Sequence, residues 1–158
     1  MVHTEQWPDE AATIASALRM ADRMCRLPVP GDAIVHLHGD LGSGKTTWVR
    51  HLLGALGVQG RIKSPTYAVV EPHSTTLPSG ALAIWHFDFY RFTDPDEWED
   101  AGFRDVFAAP GLKLCEWPQN AGPALPAPDV EMHLTWAGDT CRSVVWRGLS
   151  ADGEALLA

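Results

Sequence analysis

The chain has 158 residues, 46% of them apolar and 20% charged, which suits one globular domain spanning 1–158 and is too short for two comfortable ones. Twelve basic against twenty acidic side chains leave a net charge of −8, so broad attraction to nucleic acid or an anionic membrane has no compositional support and any bound anion must be held locally. No apolar run approaches the roughly 20 residues that cross a bilayer. The start, Met1-Val2-His3-Thr4-Glu5, lacks the basic and apolar segments of an export leader, and the expected compartment is the cytoplasm.

Along the chain, Ala11, Ile14, Ala15, Leu18, Ala21 and Cys25 recur at helical spacing behind Pro8-Asp9-Glu10, which predicts a helix from Asp9 to about Arg26. Pro28, Pro30 and Gly31 end it. Ala33 to His38 then reads as a strand running into a glycine-rich segment, and Thr47 to Leu56 as a helix closed near Gly57. Further strands are expected at Tyr67 to Val70, Leu82 to Phe89 and Leu112 to Cys115, and an acidic helix broken at Gly102 over Asp94 to Phe107. Pro118 to Pro128, with four prolines, reads as a surface loop. Val130 to Trp136 and Cys141 to Trp146 alternate as a hairpin around Gly138-Asp139. The pattern predicts an α/β domain with a mixed sheet. Cys25, Cys115 and Cys141 are too distant for a C-x-x-C site and are expected to be buried free thiols.

Gly39-Asp40-Leu41-Gly42-Ser43-Gly44-Lys45-Thr46 fits the phosphate-loop pattern G-x-x-x-x-G-K-[ST], with the strand before it and the helix after it that the motif needs. The glycines allow backbone N–H groups to turn inward around phosphate oxygens, and the helix adds the positive end of its dipole. Lys45 is placed to reach the β and γ phosphates and the Thr46 hydroxyl to ligate Mg²⁺. A carboxylate at the end of a neighbouring apolar strand normally completes the metal shell, and both Asp88 and Glu116 qualify; their division of labour stays open. Ser64-Pro65-Thr66-Tyr67 lies where triphosphatases carry a γ-phosphate sensor, with Thr66 the candidate and a plain turn the alternative. His86 and Arg91 flank Asp88, and Trp117 follows Glu116, where either core packing or a partner surface would account for it.

Taken in order, Gly-Asp-Leu-Gly-Ser-Gly-Lys-Thr-Thr at 39 to 47, Lys-Ser-Pro-Thr-Tyr at 63 to 67, His-Phe-Asp-Phe-Tyr-Arg at 86 to 91 and Glu-Trp-Pro at 116 to 118 resemble the bacterial TsaE (YjeE) family. The likeness runs from Pro8-Asp9-Glu10 to the final hairpin. Ser43 departs from it, since the family usually has alanine there. The resemblance implies a P-loop NTPase-like three-layer fold with a mixed central sheet and C-terminal β-hairpin. It also implies ATP and Mg²⁺ as cofactors and a weak ATPase that serves threonylcarbamoyladenosine formation at position 37 of tRNA. The implied partners are the TsaD and TsaB transferase subunits, with tRNA touched only through them. By the same resemblance the loop Gly39 to Thr46, followed by Thr47, binds the triphosphate. Thr46 and Glu116 hold the metal, Asp88 is a second acid near it, Thr66 belongs to a switch, and Glu10, Thr13 and Arg142 approach the adenine. Two rivals remain, a small-molecule kinase and an ATP-gated adaptor without significant turnover. The absence of arginine from Asp105 to Cys141 counts against a kinase lid, and no Asn-Lys-x-Asp or Thr-Lys-x-Asp segment supports a GTPase.

Overall fold

In the computed structural model the described residues are 1–60, 62, 69–94, 97 and 102–158. Their elements, in order, are β1 (Val2–Trp7), α1 (Glu10–Cys25), β2 (Ala33–His38), α2 (Lys45–Ala55), β3 (Val70–Leu77), β4 (Gly80–Asp88), α3 (Arg104–Ala108), β5 (Leu112–Glu116), a 3-10 turn (Pro118–Ala121), β6 (Val130–Trp136), β7 (Arg142–Gly148) and α4 (Ala151–Leu157). The seven strands form one sheet in the order β1-β7-β6-β2-β5-β4-β3. The central four, β6, β2, β5 and β4, are parallel, while β7 pairs antiparallel with both β6 and β1, and β3 pairs antiparallel with β4. The mixed α/β architecture and the C-terminal hairpin are those expected.

Strand alternation sorts side chains into two cores. Ala33, Val35 and Leu37 of β2, Leu112 and Leu114 of β5 and Val130, Met132 and Leu134 of β6 pack with Met20 and Met24 of α1, Trp48 and Leu52 of α2 and Leu156 of α4. On the other face Phe87, Phe89, Phe92, Phe107, Cys115 and Ala121 form a smaller cluster under α3 and the 3-10 turn. Helices on one face and α3 on the other make the three layers.

Three elements go beyond the sequence reading. β1 and α4 flank the expected elements, and β3 runs through Leu77 where a strand was expected to end at Val70. Tyr67 lies outside the described residues, as does most of the expected acidic helix; its described part retains Arg104–Ala108, preceded by Gly102 at φ +72°. The proline-rich stretch is less of a surface loop than expected, because Pro118 and Ala121 are buried. Among the cysteines only Cys115 is fully buried; Cys25 and Cys141 are half-buried, and all three are free. No helix of the described residues is long and apolar enough to cross a membrane.

Candidate nucleotide and metal site

The site forms where β2, β5 and β4 end side by side, with Leu37 paired to Glu116 and Asp88 paired to Glu116 across the parallel ladders. The loop leaving β2 therefore faces two carboxylates held at one height by register. Asp40 to Thr47, Asp88, Glu116, Trp117 and Arg142 line a solvent-open cavity of about 200 Å³.

The loop turns on glycine. Gly39 has φ +154°, and a Cβ there would lie 2.7 Å from the Leu134 carbonyl; Gly44, the residue capping α2, has φ +111°, a conformation that side chains rarely adopt. Lys45 is buried beneath this loop. Its Nζ donates to the Gly39 carbonyl and, at 3.4 Å, to that of Asp40, and it stands 4.3 Å from the centre of the Trp117 ring. Burial lowers the Lys45 pKa below the ordinary lysine value, against the opposing pull of Glu116, Asp88 and Asp40.

Thr46 Oγ1 donates to both oxygens of Glu116, at 3.0 and 3.1 Å, and His86 Nε2 donates to Glu116 Oε2 at 2.5 Å. Glu116 is thus aimed at the first turn of α2 by a hydroxyl on one side and a buried imidazole on the other. Asp88 Oδ1 accepts the Tyr90 N–H at 2.9 Å. Burial raises the Asp88 pKa above the ordinary carboxylate value, and the neighbouring Glu116 charge adds to that effect. A hydroxyl and two carboxylates are hard oxygen donors, the set that suits Mg²⁺. The Ser43 side chain is buried, and among the described residues its Oγ has no hydrogen-bond partner. Both the donor set and the glycine loop fit a magnesium nucleotide.

The structure brings Asp40, Leu41, Gly42, Ser43, Gly44, Lys45, Thr46, Thr47, Asp88, Glu116 and Arg142 together around the cavity, with Gly39 bonded to Lys45 at its base. Glu10 and Thr13 lie on α1 outside that lining: Glu10 Oε1 accepts His51 Nε2 from α2 at 3.0 Å, and Thr13 is buried. Thr66 and the rest of the Ser-Pro-Thr segment lie outside the described residues. Two features escaped the sequence reading. Trp117 packs against the smaller phenylalanine cluster, as the core alternative has it, and also lies beneath the Lys45 ammonium, in a left-handed backbone conformation with φ 55°. Arg142 lies 4.2 Å over the exposed Trp136 ring at the cavity mouth, a pairing visible only once β6 and β7 are in register.

The family model described as "Threonylcarbamoyl adenosine biosynthesis protein TsaE" matches residues 7–144. The tRNA threonylcarbamoyladenosine biosynthesis protein TsaE of Haemophilus influenzae is 37% identical over 136 residues, covering 86% of this chain and 84% of that protein. Its namesake from Bacillus subtilis is 32% identical over 127 residues, covering 80% and 76%. The crystal structure of Bacillus subtilis YdiB matches with a TM-score of 0.71 at 27% identity, over 99% of this chain and 93% of that one. A match through both the phosphate loop and the Glu116 strand, at these identities and nearly full length, shows that the chain belongs to the TsaE family.

Proposed function

We propose that the chain is a Mg²⁺-dependent ATPase that acts in the formation of N6-threonylcarbamoyladenosine on tRNA, together with the TsaD and TsaB transferase subunits. The observation that carries the hydrolytic part is the bond from Thr46 Oγ1 to Glu116. It joins the first turn of the phosphate-loop helix to an acid at the end of β5, which is the pairing a metal-assisted triphosphatase needs. The tRNA pathway is supported by family membership.

In this reading the loop amides from Asp40 to Thr46 bind the β and γ phosphates and Lys45 supplies the main protein counter-charge. Thr46 and Glu116 hold the metal, which when bound neutralises charge developing on the phosphates. His86 fixes the Glu116 carboxylate through Oε2 and leaves its direction unchanged as Thr46 turns toward the ligand. Asp88, held by the Tyr90 N–H, orients the attacking water from the neighbouring strand end. Arg142 contacts the nucleotide at the cavity mouth. Charge favours an indirect relation to tRNA: a chain at −8 reaches it through its partners.

The test is phosphate release from Mg·ATP by the chain alone and with TsaD and TsaB, beside a Glu116→Ala protein. Release stimulated by the partners and abolished in Glu116→Ala is expected. ATP binding without stimulated release would overturn the hydrolytic reading and favour the adaptor, and transfer of phosphate to a metabolite would favour the kinase.

A further inference from the structure

The sheet face opposite α1 and α2 carries a second group of ligating side chains that the nucleotide site does not use. On β2, His36 and His38 alternate with the core residues Val35 and Leu37; on β6, Glu131 and His133 alternate with Val130, Met132 and Leu134. Parallel register sets His36 opposite Glu131 and His38 opposite His133. Four polar side chains therefore share one face at the ends of two adjacent central strands.

Three of their donor atoms are gathered closely enough to share one ion. One donor atom each from His38, Glu131 and His133 lies within 4.8 Å of the other two. The His38 and His133 rings stack in parallel, 2° apart in plane with centroids separated by 4.4 Å, and His133 Nε2 approaches Glu131 Oε2 at 3.2 Å. His38 Nε2 is a buried nitrogen with no hydrogen-bond partner among the described residues. A buried polar atom without a partner is a destabilising feature unless something fills the gap. His133 keeps 41% and Glu131 26% of its side chain exposed, so solvent and small ions reach the group.

We propose that His38, Glu131 and His133 form a binding site for a borderline divalent transition metal, with Zn²⁺ the best fit. Two imidazoles and one carboxylate are a common three-ligand zinc set, and a tetrahedral shell at about 2.0–2.1 Å needs donors roughly 3.3 Å apart. Convergence of the three atoms on one ion requires the two imidazoles to turn out of their parallel stack. The nitrogen donors select against the hard cations that the all-oxygen site of Thr46, Asp88 and Glu116 suits, so two chemically distinct metal sites flank the start of the phosphate loop. His38 is a shared boundary, being both a ligand of this site and the residue directly before Gly39. His36, whose Nε2 is also buried without a partner among the described residues, stands behind the site, its ring centre 6.5 Å from that of His38.

The test is a Zn²⁺ titration of the untagged, chelator-stripped protein against a chromogenic competitor, in excess Mg²⁺ to keep the oxygen site occupied. Co²⁺ is then substituted to read the coordination number from its visible bands. One equivalent of Zn²⁺ at micromolar or tighter dissociation is expected, with the intense visible bands of four-coordinate Co²⁺. His133→Ala and Glu131→Gln, at partly exposed positions that should fold normally, are each expected to weaken Zn²⁺ binding by about tenfold or more. His3→Ala and His51→Ala, which break the other exposed His–Glu pairs at Glu5 and Glu10, are expected to change nothing. Binding weaker than the competitor can detect, octahedral Co²⁺ bands, or Zn²⁺ affinity unchanged in both His133→Ala and Glu131→Gln would overturn the proposal.

Discussion

Among the described residues Lys45 Nζ is held by carbonyls of its own loop and by the π face of Trp117, not by a bonded carboxylate, so its charge stays available to an incoming phosphate. Charge-assisted contacts of this kind are each worth about 1.5–3 kcal/mol. Lys45→Ala is therefore expected to lower ATP affinity or turnover roughly ten- to a hundredfold, measured by nucleotide titration of the folded variant. Trp117 is a sharper test of the same neighbourhood. Pro118 disfavours the right-handed helical conformation in the residue before it, and Trp117 adopts φ 55°, ψ 48° instead. A non-glycine residue there sits about 1 kcal/mol above glycine. Trp117→Gly should therefore unfold in urea at higher stability than Trp117→Ala by about 1 kcal/mol, although both lose the ring; equal stabilities would show that the backbone does not hold this conformation. The Glu-Trp-Pro sequence displayed the acid but not the turn, because the turn depends on where the 3-10 segment docks, through Asn120 Nδ2 donating to the Phe89 and Tyr90 carbonyls at 3.2 Å.

Among the elements, those legible in the sequence are those whose patterns are local. α1 shows helical periodicity behind a capping acid, and Asp9 Oδ1 does accept the Ala12 N–H at 2.9 Å. β2, α2 and β5 are marked by apolar runs bounded by the phosphate loop or by Glu116. β1 and β3 were hidden for a common reason: they are the two edges of the sheet. At the sheet's margins the two faces are poorly covered and most side chains stay wholly or partly exposed, so Val2-His3-Thr4-Glu5-Gln6-Trp7 and Val70-Glu71-Pro72-His73-Ser74-Thr75 lack an apolar run. Pro72 is tolerated in β3 because an edge leaves room for a missing N–H. α4 was hidden by its seven-residue length and by a cap that works through tertiary contacts. Ser150 Oγ accepts the Gly153 N–H at 3.0 Å and donates to Asp129 Oδ1 at 2.7 Å, while Asp129 Oδ2 accepts the Ile34 N–H at 2.8 Å. One carboxylate thus fastens α4 to the starts of β2 and β6. Asp9→Ala, at an exposed cap, should cost about 1 kcal/mol. Asp129→Ala, which removes two partly buried charge-assisted bonds, should cost roughly 3 kcal/mol or more; urea denaturation of both variants compares the two elements directly.

For the whole molecule, one buried atom makes its own contribution to stability fall in alkaline solution. Burial pushes the Cys115 thiol well above the ordinary cysteine range. Below about pH 8.5 the thiol is protonated in both folded and unfolded chains and contributes no slope. Above that value the unfolded chain ionises while the folded chain does not, so stability is lost as pH rises, at up to about 1.4 kcal/mol per pH unit. Denaturation at pH 8 and about pH 10 should therefore show a steeper loss in the parent than in Cys115→Ala, whatever cavity that substitution leaves at lower pH. In the native protein Cys115 should also resist thiol reagents that modify half-buried Cys25 and Cys141. The candidate site is likewise a property of the whole. Thr46 and Glu116 are 70 positions apart, and Ile34 and Asp129 are 95 apart. Closing such long loops must precede the contacts that reward it, which makes parallel pairing a late event in folding. During synthesis the phosphate loop emerges long before Glu116 has been added, so a nascent fragment carries the glycines and Lys45 without the acid that completes the pocket. On the proposed reading, a magnesium nucleotide would recognise only a chain whose central strands have assembled, and its binding would add stability to that state alone.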